Sequence, residues 1–181
     1  MVKTVGVFCA ASVTLDAAYY ELAEQFGEWL GRHGMTMVYG GANSGLMESA
    51  ALGVRRGGGK AVGVVPRILE SRRRVSTLVD EVIRCEDLTD RKAIMVERSD
   101  VLVALPGGIG TLDEVFTVMA SHSIGYHSKR VVLFDTAGFW DGLLAMLRDM
   151  DAKGFVNVPL DRCLTVARSW DELENALLAA Q

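Results

Sequence analysis

The segment LPGGIGTLDEVF, residues 105–116, combines residue types that could hold a phosphate group and do chemistry beside it. Its glycines, Gly107, Gly108 and Gly110, would leave backbone N–H groups accessible ahead of an apolar pattern with helical spacing. Free N–H groups and the helix dipole both favour phosphate at a helix N-terminus. The Glu114 carboxylate, one turn into that helix, would then lie beside the sugar of a bound nucleotide.

The same segment has a second interpretation as an ordinary helix start. Thr111 and Glu114 form the pattern T-x-x-E of a capping box, in which the glutamate folds back on a backbone N–H group. Such a cap stabilises a helix by about 1 kcal/mol. Capping accounts for these two residues but gives no reason for the three glycines. The interpretations are compatible if Thr111 begins a helix that binds phosphate, and the open question is which way Glu114 points.

A second group of candidate residues lies in DLTDRKAIMVERSD, residues 87–100. Arg91 and Met95 are four positions apart, so a helix would place them on one face, with Arg98 further along. This pattern is typical of a solvated charged face. It also suits an arginine that binds phosphate or ribose at a cleft. Arg91 cannot act as a general acid at ordinary pH, because its guanidinium stays protonated.

A third segment, VVPRILESRRR at residues 64–74, is basic. Arg67 follows a proline at a predicted strand end, whereas the arginines at 72–74 are typical of a solvated loop. The chain as a whole has a formal net charge of −4. This balance argues against nucleic acid as the main partner.

The residues required for several other kinds of functional site are missing from the sequence. The turn at 10–12 does not contain the G-x-G-x-x-G of a dinucleotide site, and Gly57-Gly58-Gly59-Lys60 lacks the Ser or Thr that a P-loop requires. Ser12 and Ser44 have no histidine partner evident for a hydrolase triad. The three histidines have no carboxylate or cysteine at metal-ligand spacing, so we expect no metal site.

The composition is that of one globular domain over residues 1–181, with 50% hydrophobic and 23% charged residues. The three cysteines, Cys9, Cys85 and Cys163, are far apart and are interpreted as buried thiols of a reducing compartment. No apolar run approaches the roughly 20 residues of a membrane span, and the N-terminal run is too short for a signal peptide. We therefore expect a cytoplasmic protein without a membrane partner.

Short β-branched runs alternate with helical patterns along the whole chain. Strands are predicted at residues 4–9, 35–39, 61–65, 81–85, 101–105, 130–134 and 163–166, and helices at 16–33, 46–56, 88–99, 111–125, 139–153 and 170–180. Several strands are apolar over most of their length, which is typical of parallel strands buried on both faces. The alternation predicts an α/β fold, doubly wound, with a mostly parallel sheet and helices on both faces.

Three loops with small residues follow predicted strands, at 9–12, 39–47 and 105–111. Ligands of such sheets bind beyond the carboxyl ends of the strands, where the strand order reverses. Two glycine-rich loops at strand ends predict a shared cleft.

The segments YGGANSGLM, VVPR, DRKAIM and SDVLVALPGGIGTLDE together resemble the LOG ("lonely guy") family. Its members are cytokinin riboside 5′-monophosphate phosphoribohydrolases, many of which carry the older label of possible lysine decarboxylase. The motif P-G-G-x-G-T-x-x-E is complete from Pro106 to Glu114, and an Arg-Lys pair, Arg91 and Lys92, lies upstream. The similarity extends in order over nearly the whole chain.

The resemblance implies a Rossmann-like fold, a homodimer, and a substrate of AMP or N6-substituted AMP that water cleaves into free base and ribose 5-phosphate. It implies no metal or organic cofactor and disfavours a pyridoxal phosphate site. Arg91 and Glu114 would be the catalytic pair, and we expect Glu114 to face the cleft and Arg91. Met95 would lie against the base. The substrate-binding residues implied are Ser12, Gly41, Lys92, Met95, Gly107, Gly108, Gly110 and Thr111.

The chain departs from the common family patterns at a few positions. Glu48 replaces a glycine after the second loop, Thr89 and Asp90 replace His-Glu before Arg91, and residues 120–125 lack the usual tryptophan and glutamine. These changes bear on the base preference and the dimer contact, for which the apolar helix at 115–119 is a candidate. A second hypothesis is a non-catalytic nucleotide or cofactor binder like the related molybdenum-cofactor carriers. The intact catalytic pair favours the enzyme.

Overall fold

The computed structural model describes residues 2–135 and 137–178. Each predicted strand is present within one residue of its expected ends: β1 Thr4–Phe8, β2 Thr36–Tyr39, β3 Lys60–Pro66, β4 Glu81–Cys85, β5 Val101–Ala104, β6 Val131–Phe134 and β7 Leu164–Ala167. In the described ranges these strands form one sheet of order β4-β3-β2-β1-β5-β6-β7. Every neighbouring pair is parallel.

Helices connect the strands: α1 Ala17–Arg32, α2 Gly45–Arg56, α3 Arg67–Ser71, α4 Leu88–Arg98, α5 Ile109–Ser123, α6 Asp141–Ala152, α7 Leu160–Cys163 and α8 Trp170–Leu178. The six predicted helices are present, with ends that differ by at most two residues, and positions 179 and 180 of the last one lie outside the described residues. Sequence reasoning missed α3 and α7, because helices of five and four residues are too short to show a helical period. None of the helices described is long and apolar enough to cross a membrane.

The core is divided by the sheet into two clusters, one on each face. One contains Phe26 of α1, Leu46 of α2 and Leu173 of α8. The other contains Met95 of α4 and Val115 of α5. All residues of the central β5 are buried. The sheet is therefore covered by helices on both faces, which confirms the doubly wound α/β prediction.

The strand order reverses between β1 and β5, and the loops after β1, β2 and β5 meet at this edge of the sheet. The N–H of Ala10 donates to the carbonyl of Pro106 (3.2 Å), and the N–H of Leu46 donates to the carbonyl of Ala10 (2.9 Å). The three loops expected to share a cleft are thus joined by hydrogen bonds at the position where open parallel sheets bind ligands.

The arginine loop, residues 72–74, follows α3 and is exposed, as predicted. Arg73 is the non-glycine residue with positive φ (53°) in the described part of the chain. Its conformation is held by the second glycine loop: the N–H of Asn43 donates to the Arg74 carbonyl (3.0 Å), and Ala42 forms an antiparallel bridge with Val75. The three cysteines are free and buried, which confirms their interpretation as buried thiols.

Candidate active site

A cavity of about 330 Å³ lies at the carboxyl edge of the sheet, where β1 and β5 diverge. It is formed by the loop after β1, the first turn of α2, the start of α4 and the N-terminus of α5. Its lining residues are Cys9, Ala10, Ala11, Ser12, Met47, Leu88, Arg91, Lys92, Gly108, Gly110, Thr111, Asp113 and Glu114. The cavity therefore contains polar side chains from α4 and α5 beside the apolar Met47.

Arg91 and Glu114 form a buried ion pair on one wall of this cavity. Nη2 of Arg91 donates to Oε1 of Glu114 at 2.8 Å, and the two residues are only 8% and 5% exposed. Asp87 caps α4 by accepting the N–H groups of Thr89 and Asp90, which places Arg91 in the next turn. The expected orientation of Glu114 toward Arg91 is confirmed. The interpretation of the Arg91 face of α4 as solvated is wrong.

The capping box is also wrong. The helix begins at Ile109 with Gly108 as its N-cap, so Thr111 lies inside the first turn rather than at the start. A Cβ on Gly107 would lie 2.5 Å from Cβ of Thr111, so the missing side chain at Gly107 lets the turn close on Thr111 and start the helix earlier. Glu114 is therefore in the second turn, too far along to cap the helix, and its side chain pairs with Arg91.

Gly40, which the sequence interpretation did not single out, makes room for the Arg91 guanidinium. A Cβ at Gly40 would lie 2.6 Å from Nη2 and 2.9 Å from Cζ of Arg91. Gly41, which was expected to contact the substrate, is not part of the cavity wall. It has a positive φ of 70° and packs against Val65, with a Cβ position 2.6 Å from Cγ2 of that valine. Gly40 is therefore the glycine that accommodates Arg91 at the site, whereas Gly41 allows the backbone conformation of the turn.

Replacing Gly40 by Ala is expected to lower kcat of the reaction proposed below by about 10²-fold, because displacement of a catalytic group by about 1 Å can cost that much. The added methyl group would push Arg91 away from Glu114, and steady-state kinetics would measure the effect. Gly142→Ala in α6 is the matched control, since within the described part of the chain no heavy atom beyond its neighbours and its own helix backbone lies within 4 Å of its Cβ position. Equal kinetics in both variants would contradict the role of Gly40.

The glycine turn before α5 leaves an accessible surface for an anion. Apart from the adjacent residues and the helix's own backbone, no heavy atom of the described residues lies within 4 Å of the Cβ positions of Gly108 and Gly110, and both glycines line the cavity with the buried Thr111. Gly107 does not line the cavity and instead allows the packing of Thr111. Ser12, in the loop after β1, also lines the cavity.

The methionine that lines the cavity is not the expected one. Met95 is fully buried in the core cluster of α4 and α5, so the expectation that it contacts a base is wrong. Met95 lies on the same helix face as Arg91, but one turn further along α4. At that point the helix face packs into the core below the sheet. Met47 of α2 lines the cavity instead. Its position after the second glycine loop, in GLM, was the available signal.

Burial sets the protonation of the cavity groups. It raises the pKa of the Glu114 carboxyl above its ordinary value, while the charge and hydrogen bond of Arg91 act in the opposite direction. Burial also raises the pKa of the Cys9 thiol, and the negative charge of Glu114 adds to this effect. Cys9 is therefore a neutral thiol at the cavity wall rather than a nucleophile.

The departures from the family pattern lie mostly beside the cavity rather than on its wall. Asp90 accepts the N–H of Glu86 at 3.1 Å and thereby stabilises the start of α4. Glu48 and Thr89 do not line the cavity. The apolar residues at 115–119 are largely used inside the protein: Val115, Val118 and Met119 are buried in its own core. This helix face therefore gives no support to a dimer contact.

Comparison with known proteins identifies the family of this chain. The family model described as possible lysine decarboxylase matches residues 47–177. The cytokinin riboside 5′-monophosphate phosphoribohydrolase of Mycobacterium tuberculosis is 38% identical over 177 residues, which are 97% of this chain and 92% of that protein. An enzyme of the same name from Arabidopsis thaliana is 34% identical over 97% of this chain and 82% of its own length.

Among solved structures, the molybdenum cofactor carrier protein of Chlamydomonas reinhardtii superposes with a TM-score of 0.75. It is 24% identical and is covered over 98% of its chain, with 99% of this chain included. At this identity the likeness concerns the fold, which is Rossmann-like. The sequence relatives and the family model together show that the chain belongs to the LOG family, the family of the cytokinin riboside 5′-monophosphate phosphoribohydrolases.

Proposed function

We propose that the protein is a nucleoside 5′-monophosphate phosphoribohydrolase that acts on AMP or N6-substituted AMP. Water cleaves the N-glycosidic bond and yields free base and ribose 5-phosphate. The observation that carries this proposal is the buried Arg91–Glu114 pair beside an open glycine turn in one cavity. The names of the relatives from Mycobacterium tuberculosis and Arabidopsis thaliana support it.

Glu114 is assigned the central role in the reaction. When the bond between C1′ and the base nitrogen breaks, positive charge develops on the sugar, and a nearby carboxylate stabilises that charge. The Glu114 carboxylate also orients the attacking water, whose oxygen forms the new bond to C1′, while a proton of the water is transferred to the departing base. Arg91 opposes the effect of burial on the pKa of Glu114, and so favours the ionised carboxylate, and it binds the substrate.

The remaining cavity residues bind the two ends of the nucleotide. Gly108, Gly110 and Thr111 hold the 5′-phosphate at the N-terminus of α5, where backbone donors and the helix dipole favour an anion. Lys92 and Ser12, which also line the cavity, are assigned to the phosphate as well. Met47, in place of Met95, lies against the base.

The older family label implies a pyridoxal phosphate enzyme, and the cavity does not fit that group. A Schiff base requires an uncharged lysine amine. Lys92 is the lysine among the cavity-lining residues, and both carboxylate oxygens of Asp113 lie within 2.8 Å of its Nζ atom, a setting for a charged ammonium.

Incubation with AMP and with N6-isopentenyl-AMP, followed by chromatography, tests the proposal. Free base and ribose 5-phosphate in equal amounts are expected. Binding of AMP without release of base from any monophosphate would reject the enzyme in favour of a nucleotide or cofactor binder. A binder has no use for a buried carboxylate–guanidinium pair, whose desolvation is unfavourable.

We further propose a homodimer, on the basis of exposed apolar side chains around the cavity mouth. Val13, Leu88 and Ile109 are 69%, 59% and 82% exposed. Burial of such a patch against a second copy is favourable, so sedimentation velocity at micromolar concentration is expected to give twice the chain mass. Val13→Asp should yield monomers, whereas Phe155→Asp, at an exposed position in another part of the chain, should not. A monomeric wild type would contradict the proposal.

A further inference from the structure

A second ion pair connects α4 and α5 beside the buried one. Nζ of Lys92 donates to Oδ1 and Oδ2 of Asp113 at 2.7 and 2.8 Å. Lys92 follows Arg91 along α4, and Asp113 precedes Glu114 along α5, so the two bridges run side by side. The Arg91–Glu114 bridge is buried, whereas Lys92–Asp113 lies at the open side of the cavity wall.

The two partners of this bridge are held very differently. The Lys92 side chain is only 15% exposed, so its stem is packed and its ammonium stays near the cavity. The Asp113 side chain is 52% exposed. An ion pair with one partner in water contributes little to stability, because solvent screens the attraction. Asp113 is therefore a partner that Lys92 can give up at small cost.

Asp113 also lies close to the surface proposed to hold the 5′-phosphate. It is three residues after Gly110 and two after Thr111, and all three residues line the same cavity. A phosphate dianion bound at this helix start would compete with the carboxylate for the Lys92 ammonium. Phosphate carries more charge and more acceptor oxygens than one carboxylate, so it is the stronger partner.

We propose that Lys92 exchanges Asp113 for the 5′-phosphate when substrate binds, and returns to Asp113 when ribose 5-phosphate leaves. Asp113 is then a positioning residue that acts through Lys92. It keeps the ammonium at the cavity in the free protein and limits the affinity for the phosphorylated product. The inference rests on the proposed function, since it takes a phosphate monoester as the ligand.

Calorimetric titration with inorganic phosphate and with ribose 5-phosphate tests the exchange without any turnover. Asp113→Asn is expected to tighten both ligands about fivefold, the size of a solvent-exposed ion pair. In a Lys92→Gln background the same substitution should change affinity by less than about twofold, because no ammonium remains to be released. Asp113→Glu, which keeps the competing charge, should restore an affinity close to that of the wild type.

The matched control is Asp149→Asn on α6. Asp149 pairs with Lys153 at 2.7 Å, with both side chains mostly exposed, and its loss changes the net charge by the same amount. Phosphate affinity should not change in this variant. Thermal melting of each variant verifies that it is folded.

Two results would overturn the exchange. Weaker phosphate binding in Asp113→Asn would mean that Asp113 orients Lys92 for the ligand instead of competing with it. If Asp113→Asn tightened phosphate binding equally with and without Lys92, Asp113 would act on the phosphate only through the repulsion of its negative charge. If the expected coupling between Asp113 and Lys92 were observed but no base were released from AMP, this inference would stand and the proposed function would be wrong.

Discussion

Replacing Glu114 by Gln is expected to lower kcat for AMP hydrolysis by about 10³-fold while AMP binding is retained within about threefold. The amide has the shape of the carboxylate and can still accept the hydrogen bond from Arg91. It carries no charge, so it can neither stabilise the cationic sugar nor orient the attacking water as the carboxylate does. Single-turnover kinetics would measure the chemical step, and calorimetry with AMP would measure binding.

Glu28→Gln on α1 is the matched control, because Glu28 is paired with Arg32 on the surface. Its turnover should equal that of the wild type. If Glu114→Gln kept turnover within tenfold of the wild type, the catalytic role of Glu114 would be wrong.

The pH dependence of the wild type gives a second measure of Glu114. Burial raises the pKa of this carboxyl, and the charge of Asp113 adds to the rise, while Arg91 and Lys92 oppose it. The ionised form is the active one, so activity is present above the pKa and is lost as the pH falls through it. We expect the acid limb of kcat/KM to lie above the ordinary range of a glutamate. A limb at or below that range would contradict the assignment.

Replacing Arg91 by Gln is expected to destabilise the protein by about 3 kcal/mol and to abolish hydrolysis. The substitution leaves Glu114 buried without a cation, and the carboxyl would then take up a proton at neutral pH. Urea denaturation should show the largest loss at high pH, where Glu114 must ionise, and a smaller loss near the ordinary carboxyl pKa. Hydrolysis is lost because Arg91 is absent and because the protonated Glu114 no longer carries the negative charge that the reaction requires.

Arg32→Gln tests whether the effect depends on burial. Arg32 is 70% exposed and pairs with Glu28 on the surface, so its removal should cost less than about 1 kcal/mol. The double variant Arg91→Gln with Glu114→Gln should lose less stability than the sum of the single variants, since no buried charge remains. Additive losses would show that the two side chains are not energetically coupled.

Much of the fold could be predicted because its signals are local. β5 and β6 are apolar along their whole length, and this is what strands buried between two helix layers require. The long helices repeat their apolar positions often enough to be recognised. The short α3 and α7 contain too few residues to show such a repeat. Their formation depends on the neighbouring structure, since α3 follows the end of β3 and α7 precedes β7.

The candidate site was predicted in part. The types of Arg91 and Glu114 indicated their chemistry, and their facing orientation is confirmed, although their roles remain predictions. The interpretation of Met95 failed because helical spacing identifies a shared face without saying how far the cavity extends along it. The predicted cap at Thr111 is wrong because Gly107, which has no side chain, allows the helix to begin earlier, at Ile109.

By itself, the sequence determined the α/β alternation, the glycine turn and the presence of an arginine and a glutamate able to act on a phosphorylated sugar. These depend on composition and on spacings of a few residues, which a single chain segment contains. The tertiary structure decided which groups meet: Arg91 with Glu114 across 23 positions, Lys92 with Asp113, and Gly40 against the guanidinium. Such contacts join different elements, and their distances follow from how α4, α5 and the loop after β2 pack around the sheet.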